Sequence, residues 1–207
     1  MQTTLWRVTL EFTEDILGTV PKNEALYREF IESKKPEEQQ DPEYTTVEAA
    51  EERGWTGFHK DDVGLFLYGY MIKGFLKNAA NITKEQAGIK AYKSKVNNCV
   101  AVKTRRIYMA DSDGNLITKA PDVLERSLRA NTPQGPIVTL VRSDTLPVGT
   151  RITFRLKILV DKTVTPEHVK ELFEYGDMQG IGQWRNAGYG AFDLVGWEEI
   201  VEGEVGA

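Results

Sequence analysis

The residues best suited to chemistry lie in one glycine-rich segment, from Gly180 to Phe192. Four glycines fall within eleven residues there: Gly180, Gly182, Gly188 and Gly190. Because glycine adopts positive φ and lets a backbone or a phosphate approach closely, such a loop can cradle a nucleic-acid strand. Arg185 supplies a guanidinium, and Trp184 and Tyr189 supply rings on which bases stack. The alternative is a tight turn in which both rings are core and Arg185 pairs with a carboxylate such as Asp177.

A second segment, from Tyr68 to Gly74, combines glycine, aromatic and basic residues. Lys73, followed one helical turn later by Lys77, is placed to neutralise phosphates. Tyr70 offers a ring for a base, and such stacking contributes about 1–3 kcal/mol per base. The chain therefore carries two separate stretches with the residue types that bind a nucleic acid.

One compact cluster, His59-Lys60-Asp61-Asp62, joins a general base to carboxylates that bind a divalent metal. The competing interpretation is that His59, Asp61 and Asp62 are solvated or cap a turn, as paired aspartates in loops usually do. With two histidines and one cysteine, the chain has no cluster for a structural zinc ion. We predict no catalytic residue, no metal site and no cofactor.

Charge is distributed unevenly along the chain, although the formal net charge is −5. Residues 32–53 carry eight acids and three bases, a net of −5, whereas residues 60–106 carry ten bases and three acids, a net of +7. The second segment predicts a basic face suited to a nucleic acid. Lysines on a solvated helix surface would give the same count.

Bulk composition favours one ordinary globular domain spanning residues 1–207, with 41% hydrophobic and 28% charged residues. No apolar run approaches the length of a membrane span, and Met1 to Phe12 alternates and carries Glu11, unlike a signal peptide. The single cysteine, Cys99, fits a reducing compartment. We expect a cytoplasmic protein with no membrane partner.

In the first half of the chain, alternation predicts a strand over Leu5 to Phe12. Helical spacing of apolar residues predicts helices from Asn23 or Lys22 to Ser33, from Tyr70 to Ala80 and from Thr83 to Val96. Cys99 to Ala110 has the character of a strand.

In the second half, Pro136 to Arg142 and Thr150 to Val160 are predicted as a pair of strands joined by a turn at Pro147-Val148-Gly149. Thr165-Pro166-Glu167 then gives an N-cap, a proline at the first helical position and an early acid. A last strand is predicted from Tyr189 to Ile200. Residues 117–132 receive no assignment.

The order strand, helix, strand, strand, helix, strand is that of an α+β, ferredoxin-like (RRM-like) βαββαβ sandwich. Insertions are expected between strand 1 and helix 1 and between helix 1 and strand 2. The first includes the acidic, mobile segment 32–57, and the second includes residues 97–132, which can hold a hairpin.

The chain resembles the RAMP superfamily of CRISPR systems in two motifs. The family's loop, Gly-x-Gly-x-x-(Arg/Lys)-x-x-Gly-(aromatic/apolar)-Gly, is met by Gly180, Gly182, Arg185, Gly188, Tyr189 and Gly190. The RNA-binding backbone subunits of CRISPR effectors also carry Pro-Gly-Ser-Ser-x-(Lys/Arg)-Gly at the start of helix 1. Here Gly69, Lys73 and Gly74 match, whereas Tyr70 and Met71 replace the serines.

The resemblance covers residues 1–15, 63–82 and 134–200 and implies a non-catalytic protein that binds RNA or single-stranded DNA. It assigns nucleic-acid binding to the matching residues Lys73, Gly180, Gly182, Arg185, Gly188 and Gly190. By residue type alone, Tyr70, Lys77 and Trp184 are further candidates for nucleic-acid binding. The bulky Tyr70 and Met71 either block a groove for the strand's backbone or stack a base. Such a divergent relative fits a phage origin.

Two other functions are consistent with the resemblance. The first is a phage-encoded mimic that binds CRISPR effector subunits and inhibits or modulates them, with self-association as a related property. The second is a metal-dependent ribonuclease, because some family members cut RNA with an aspartate in the loop before helix 1, near Asp61 and Asp62, and others use a histidine.

Overall fold

The computed structural model of the protein describes residues 2–22, 55–132 and 135–201. The helix predicted from Asn23 or Lys22 to Ser33 lies outside the described residues. So does the acidic segment 32–57, except for Trp55 to Gly57, which form a short strand.

Twelve strands and five α-helices make up the described part of the chain. The strands are β1 (Thr3–Phe12), β2 (Ile16–Leu17), β3 (Val20–Pro21), β4 (Trp55–Gly57), β5 (His59–Lys60), β6 (Leu65–Tyr68), β7 (Val100–Val102), β8 (Arg106–Ala110), β9 (Asp122–Thr132), β10 (Gly135–Leu146), β11 (Arg151–Leu159) and β12 (Phe192–Ile200). The helices are α1 (Gly69–Ile82), α2 (Lys84–Ala87), α3 (Tyr92–Cys99), α4 (Pro166–Glu174) and α5 (Gly176–Gln179), with a 3₁₀ turn at Arg185–Ala187.

The main sheet is antiparallel and has the order β12-β1-β11-β8-β6-β5, with β7 also paired to β11. Alternation along β1 and β11 places one set of side chains in the core, as the sequence predicts. Val8, Leu10 and Phe12 are fully buried on β1. The mixed α+β class is therefore confirmed.

Helices α1 and α4 supply most of the helical core. On α1 the buried residues Ile72, Phe75, Leu76 and Ala79 have the predicted helical spacing. Helix α4 begins at the predicted cap: the Thr165 hydroxyl accepts a hydrogen bond from the His168 amide at 3.4 Å, and Pro166 is the first helical residue. Phe173 of α4 is fully buried, which stabilises the fold by about 2–3 kcal/mol.

The helix predicted from Thr83 to Val96 is broken into α2 and α3. Gly88 adopts φ +64° and ends α2, and Ala91 adopts φ +54° immediately before α3. A left-handed residue at each point turns the chain, because it cannot continue a right-handed helix.

The strands predicted at Pro136 to Arg142 and Thr150 to Val160 exist, but they do not pair with each other. β10 lies in a second sheet of order β2-β10-β4-β3 and pairs along its length with β9, whereas β11 lies in the main sheet. The partner of β10 comes from the segment that had no assignment. Beside β11 lie instead β7 and β8, from residues 100–110.

In the part of the chain that the structure describes, no helix is both long and apolar enough to cross a membrane.

Candidate nucleic-acid interface

The two segments singled out in the sequence meet at one groove of about 400 Å³. Helix α1 contributes Met71, Gly74, Phe75 and Asn78, and the glycine-rich loop contributes Ile181, Gly182 and Arg185. Because Met71, Gly74 and Asn78 are spaced i, i+3, i+7, they form one stripe along α1. The fold therefore brings together residues separated by about half the chain.

Gly74 is an exposed glycine in the middle of α1, and a Cβ placed on it would meet no atom within 4 Å. Nothing in the described residues therefore requires glycine there for packing. Glycine inside a helix costs about 0.5–1 kcal/mol relative to alanine. Packing among the described residues therefore does not offset this cost.

The glycine loop is held closed where its two ends cross. The Ile181 amide donates to the Gly190 carbonyl at 2.8 Å, and the Gly190 amide donates to the Asp15 carbonyl at 2.9 Å. A Cβ on Gly180 would lie 2.5 Å from the carbonyl carbon of Gly190, and a Cβ on Gly190 would overlap the Ile181 carbonyl. Gly180 and Gly190 are buried and shape the loop, rather than presenting a surface.

The other two glycines of the loop differ from each other. Gly182 has φ +108°, and a Cβ on it would lie 2.9 Å from the Leu17 carbonyl oxygen. Gly188 has φ +89°, is exposed, and has open space where its Cβ would be. Beside Gly182, the Gln183 side-chain oxygen accepts a hydrogen bond from the Thr56 hydroxyl at 2.9 Å, which ties the loop to β4.

Arg126 of β9 lies over both aromatic rings of the loop, a contact that the sequence did not reveal. Its guanidinium carbon is 5.5 Å from the centre of the Trp184 ring and 5.3 Å from that of Tyr189. The two rings meet edge to face, with centres 6.2 Å apart. Trp184 is partly buried and has φ +51°, which a non-glycine residue rarely adopts. The Trp184 ring thus packs within the loop, against Tyr189 and the Arg126 guanidinium.

Arg185 is exposed and lines both the groove shared with α1 and a neighbouring one of about 520 Å³ beside Arg126 and Trp184. Within the described residues it forms no salt bridge, so the pairing with Asp177 considered from the sequence is not observed. Its charge is available to an anion in the groove.

Lys73 has a structural contact that the sequence did not predict. Its ammonium donates hydrogen bonds to the carbonyls of Val96 and Asn97, both at 2.9 Å, and to the Val100 carbonyl. These carbonyls end α3, where a cation is favourable. Burial, with the nearby charge of Lys77, lowers the pKa of Lys73. Lys77 lies one turn further along α1 and is partly exposed.

In the segment His59 to Asp62, considered above for catalysis, Asp61 links neighbouring parts of the fold by hydrogen bonds. The Asp61 carboxylate accepts hydrogen bonds from Arg106 at 2.8 Å and from Tyr108 at 2.9 Å, and the Val63 and Gly64 amides complete its contacts. His59 is buried and stacks on a phenylalanine ring, and Asp62 is exposed. Across the described ranges, no group of three His, Cys, Asp or Glu residues converges to hold a metal ion.

We expect the contacts of Asp61 to appear in the acid stability of the protein. Desolvation opposes its ionisation, but the hydrogen bonds from Tyr108 and the two amides and the charge of Arg106 outweigh it and lower the pKa. A pKa lowered by folding stabilises the protein above the unfolded value, near 4, and this stabilisation is lost as the pH falls through the folded value.

Asp61→Asn should therefore lower the melting temperature near pH 7, and the gap from wild type should shrink below about pH 4. Circular dichroism melts from pH 7 to pH 3 measure both. Asp62→Asn, a change at the exposed neighbour, is the matched control and should leave the melting temperature unchanged. A gap for Asp61→Asn that is constant with pH would contradict the assignment.

Tyr70 does not reach the groove between α1 and the glycine loop. It is 55% exposed and lines a separate cleft, together with Lys73 and residues from the β7–β8 connection. Four of the predicted binding residues therefore line two different openings. Gly182 and Arg185 line the groove, and Tyr70 and Lys73 line the cleft.

No family model and no curated protein match the chain. Its fold is similar to that of a chain in the cryo-EM structure of the Type III-B Cmr-beta bound to cognate target RNA. The TM-score is 0.51 and the sequence identity is 12%, over 96% of this chain and 61% of that one. The protein thus spans less than two thirds of the length of that chain, and the likeness is one of fold.

Proposed function

We propose that the protein is a non-catalytic, RAMP-like protein that binds single-stranded nucleic acid, and RNA in preference to DNA. The observation that carries the proposal is the groove in which Gly74 of α1 faces Gly182 and Arg185 of the glycine loop. One wall is a backbone with no side chain, and the other carries a guanidinium that no carboxylate of the described residues pairs with. Such a groove suits a phosphodiester.

The arrangement of the main sheet supports the same family. We infer that these elements form a ferredoxin-like core: β1, α1, β7–β8, β11, α4 and β12. If its four strands are numbered along the chain as β1, β7–β8, β11 and β12, their order across the sheet is fourth, first, third, second, as in that fold. In this interpretation β9 and β10 lie outside the core, in the second sheet.

The likeness in fold supports RNA as the ligand of this protein. The similar chain belongs to a structure of Cmr-beta bound to cognate target RNA, and it is matched along nearly the whole of this protein. We infer that RNA is the natural ligand here too. Stacking and phosphate contacts alone do not distinguish the two nucleic acids, so the preference for RNA needs contacts to the 2′-hydroxyl.

Substitutions at Gly74 test the groove. Gly74→Ala should raise the free energy of unfolding by about 0.5–1 kcal/mol, because alanine is the better helix former and its methyl group meets open space. The same methyl group narrows the approach to the α1 backbone, so affinity for single-stranded RNA should fall. Gly74→Leu, with its larger side chain, should lower the affinity for RNA further, by about tenfold or 1.4 kcal/mol.

Urea denaturation and fluorescence anisotropy with a labelled single-stranded RNA, run beside the same sequence as DNA, measure the two effects. If a variant is more stable but binds RNA less tightly, its weaker binding is not caused by damage to the fold. If wild type binds neither strand at low salt, the proposed function is wrong. If all three proteins bind RNA equally, the groove at Gly74 is not the binding site.

A second candidate function is association with CRISPR effector subunits, as a mimic that inhibits or modulates them. Among the described residues, the edge strand β12 pairs only with β1, and Val195 on it is 52% exposed. Edge strands of this kind accept a strand from a partner. A pull-down with purified effector subunits, repeated after ribonuclease treatment, discriminates the two functions. Association that survives the nuclease favours the protein partner.

A further inference from the structure

A second opening in the molecule, a cleft of about 710 Å³, lies at the first turn of α1. Its walls are the end of β6, the first turn of α1, and the chain from Asn97 to Arg105. This volume lies within the range typical of sites for small organic ligands. None of the residues assigned to the groove at the glycine loop lines it.

Aromatic rings form one wall of the cleft. The Tyr70 and Tyr68 rings stack with centres 5.6 Å apart and planes 20° apart. His59 meets the edge of Tyr68 at 4.5 Å and stacks on Phe66 at 5.5 Å. Because the rings behind Tyr70 fix its orientation, its exposed surface is a rigid platform for another flat ring.

Among the residues that the structure describes, the charged side chains that line the cleft are all basic: Lys73, Lys103 and Arg105. Lys103 and Arg105 are exposed, and neither forms a salt bridge in the described part of the chain. Lys73 is engaged with the end of α3, so the cations offered to a ligand are the other two. A flat aromatic platform with two cations at its rim matches the chemistry of a nucleotide, a base joined to a phosphate.

The wall that carries these cations is fixed by hydrogen bonds to neighbouring elements. The Gly69 amide donates to the Arg105 carbonyl at 3.0 Å, and the Thr104 hydroxyl accepts from the Arg155 amide at 2.9 Å. A Cβ on Gly69 would lie only 2.5 Å from the Thr104 carbonyl oxygen, so glycine here allows α1 to approach this segment. A site that is already shaped loses less entropy when a ligand binds.

We propose that this cleft is a nucleotide subsite in which a base stacks on Tyr70 and its phosphate meets Lys103 and Arg105. The inference rests on the proposed function where the nucleotide belongs to a bound RNA strand, and a free mononucleotide has the same chemistry. Tyr70 lies four residues, about 6 Å of helix, before Gly74. A strand whose backbone lies in the groove at Gly74 therefore passes within reach of the cleft.

The experiment compares Tyr70→Ala and Tyr70→Phe with wild type on three probes: a single-stranded RNA, the same strand with abasic sites throughout, and AMP. Tyr70→Ala should weaken RNA binding at least fivefold, because one base no longer stacks. Tyr70→Phe keeps the ring and should bind like wild type. On the abasic strand, Tyr70→Ala and wild type should be equal. Melting temperatures check that the substitutions at this half-exposed residue leave the fold intact.

The outcomes separate this inference from the proposed function. If RNA binds wild type and Tyr70→Ala equally, the subsite is wrong, although the protein remains an RNA binder. If RNA does not bind wild type but AMP does, and Tyr70→Ala abolishes that binding, the cleft is a mononucleotide site and the proposed function fails. If neither RNA nor AMP binds, or if Tyr70→Ala weakens binding of the abasic strand just as much, the inference is overturned.

Discussion

Gly190→Ala should destabilise the protein by about 3 kcal/mol or more, the largest effect on stability that we expect from a single methyl group in this chain. Two costs add at this position. Gly190 has φ +71°, which is strained for alanine, and its Cβ would overlap the Ile181 carbonyl. Relief requires the two ends of the loop to separate, and that breaks the hydrogen bond between the Ile181 amide and the Gly190 carbonyl.

Gly188→Ala is the matched control, because it places the same methyl group on the same loop. Gly188 also has positive φ, +89°, but its Cβ would meet nothing within 4 Å. Only the backbone strain remains, so the expected cost is about 1 kcal/mol. Urea denaturation of the two variants measures the difference. Equal stability would show that the crossing of the loop ends does not constrain the fold.

The contrast between these glycines marks a limit of what the sequence can predict. The pattern of four glycines around Arg185 predicted a loop between the last helix and the last strand, and the structure has a loop there. The pattern did not distinguish Gly190, which packs against Ile181, from Gly188, which faces open space. That difference depends on which backbone approaches each residue, and the segment that packs under the loop, around Asp15 and Leu17, is distant in sequence.

The strands show a similar limit. Alternation identified β1 and β11 and their buried faces, because apolar and polar residues alternate along a strand that is buried on one side. Pairing between strands has no such local signature. The segment from Pro136 to Arg142 was expected beside β11 but pairs with β9 instead. A turn after a strand is compatible with a hairpin or with a passage to another sheet, and only the tertiary structure decides.

Lys73 illustrates why residue type does not settle a residue's role. From the sequence it is a cation in a motif that holds phosphates. In the structure its ammonium is engaged by carbonyls at the end of α3, and burial lowers its pKa. Arg126, by contrast, lies in a strand that had no assignment, and no local signal connects it with the rings of Trp184 and Tyr189. Both roles depend on tertiary contacts: Lys73 meets the end of α3, and Arg126 of β9 meets the glycine loop.

Of the cations named in the sequence, Arg185 is the one for which the structure gives a clear expectation about binding. It is exposed, it lines two neighbouring grooves, and within the described ranges no carboxylate pairs with it. Replacing it breaks no salt bridge among the described residues, so the unfolding free energy should change by less than about 0.5 kcal/mol. Any large drop in RNA affinity in a variant therefore reports on the ligand.

Arg185→Glu should lower the affinity for single-stranded RNA about tenfold or more at low salt, because attraction to a phosphate becomes repulsion. The plot of log affinity against log salt should become shallower by about 0.7 for each phosphate that is no longer neutralised, so the two proteins converge as salt rises. Lys170→Glu, on the exposed surface of α4, makes the same change in net charge and is the matched control. If it weakens binding as much as Arg185→Glu does, the interaction depends on overall charge and the groove is not the binding site.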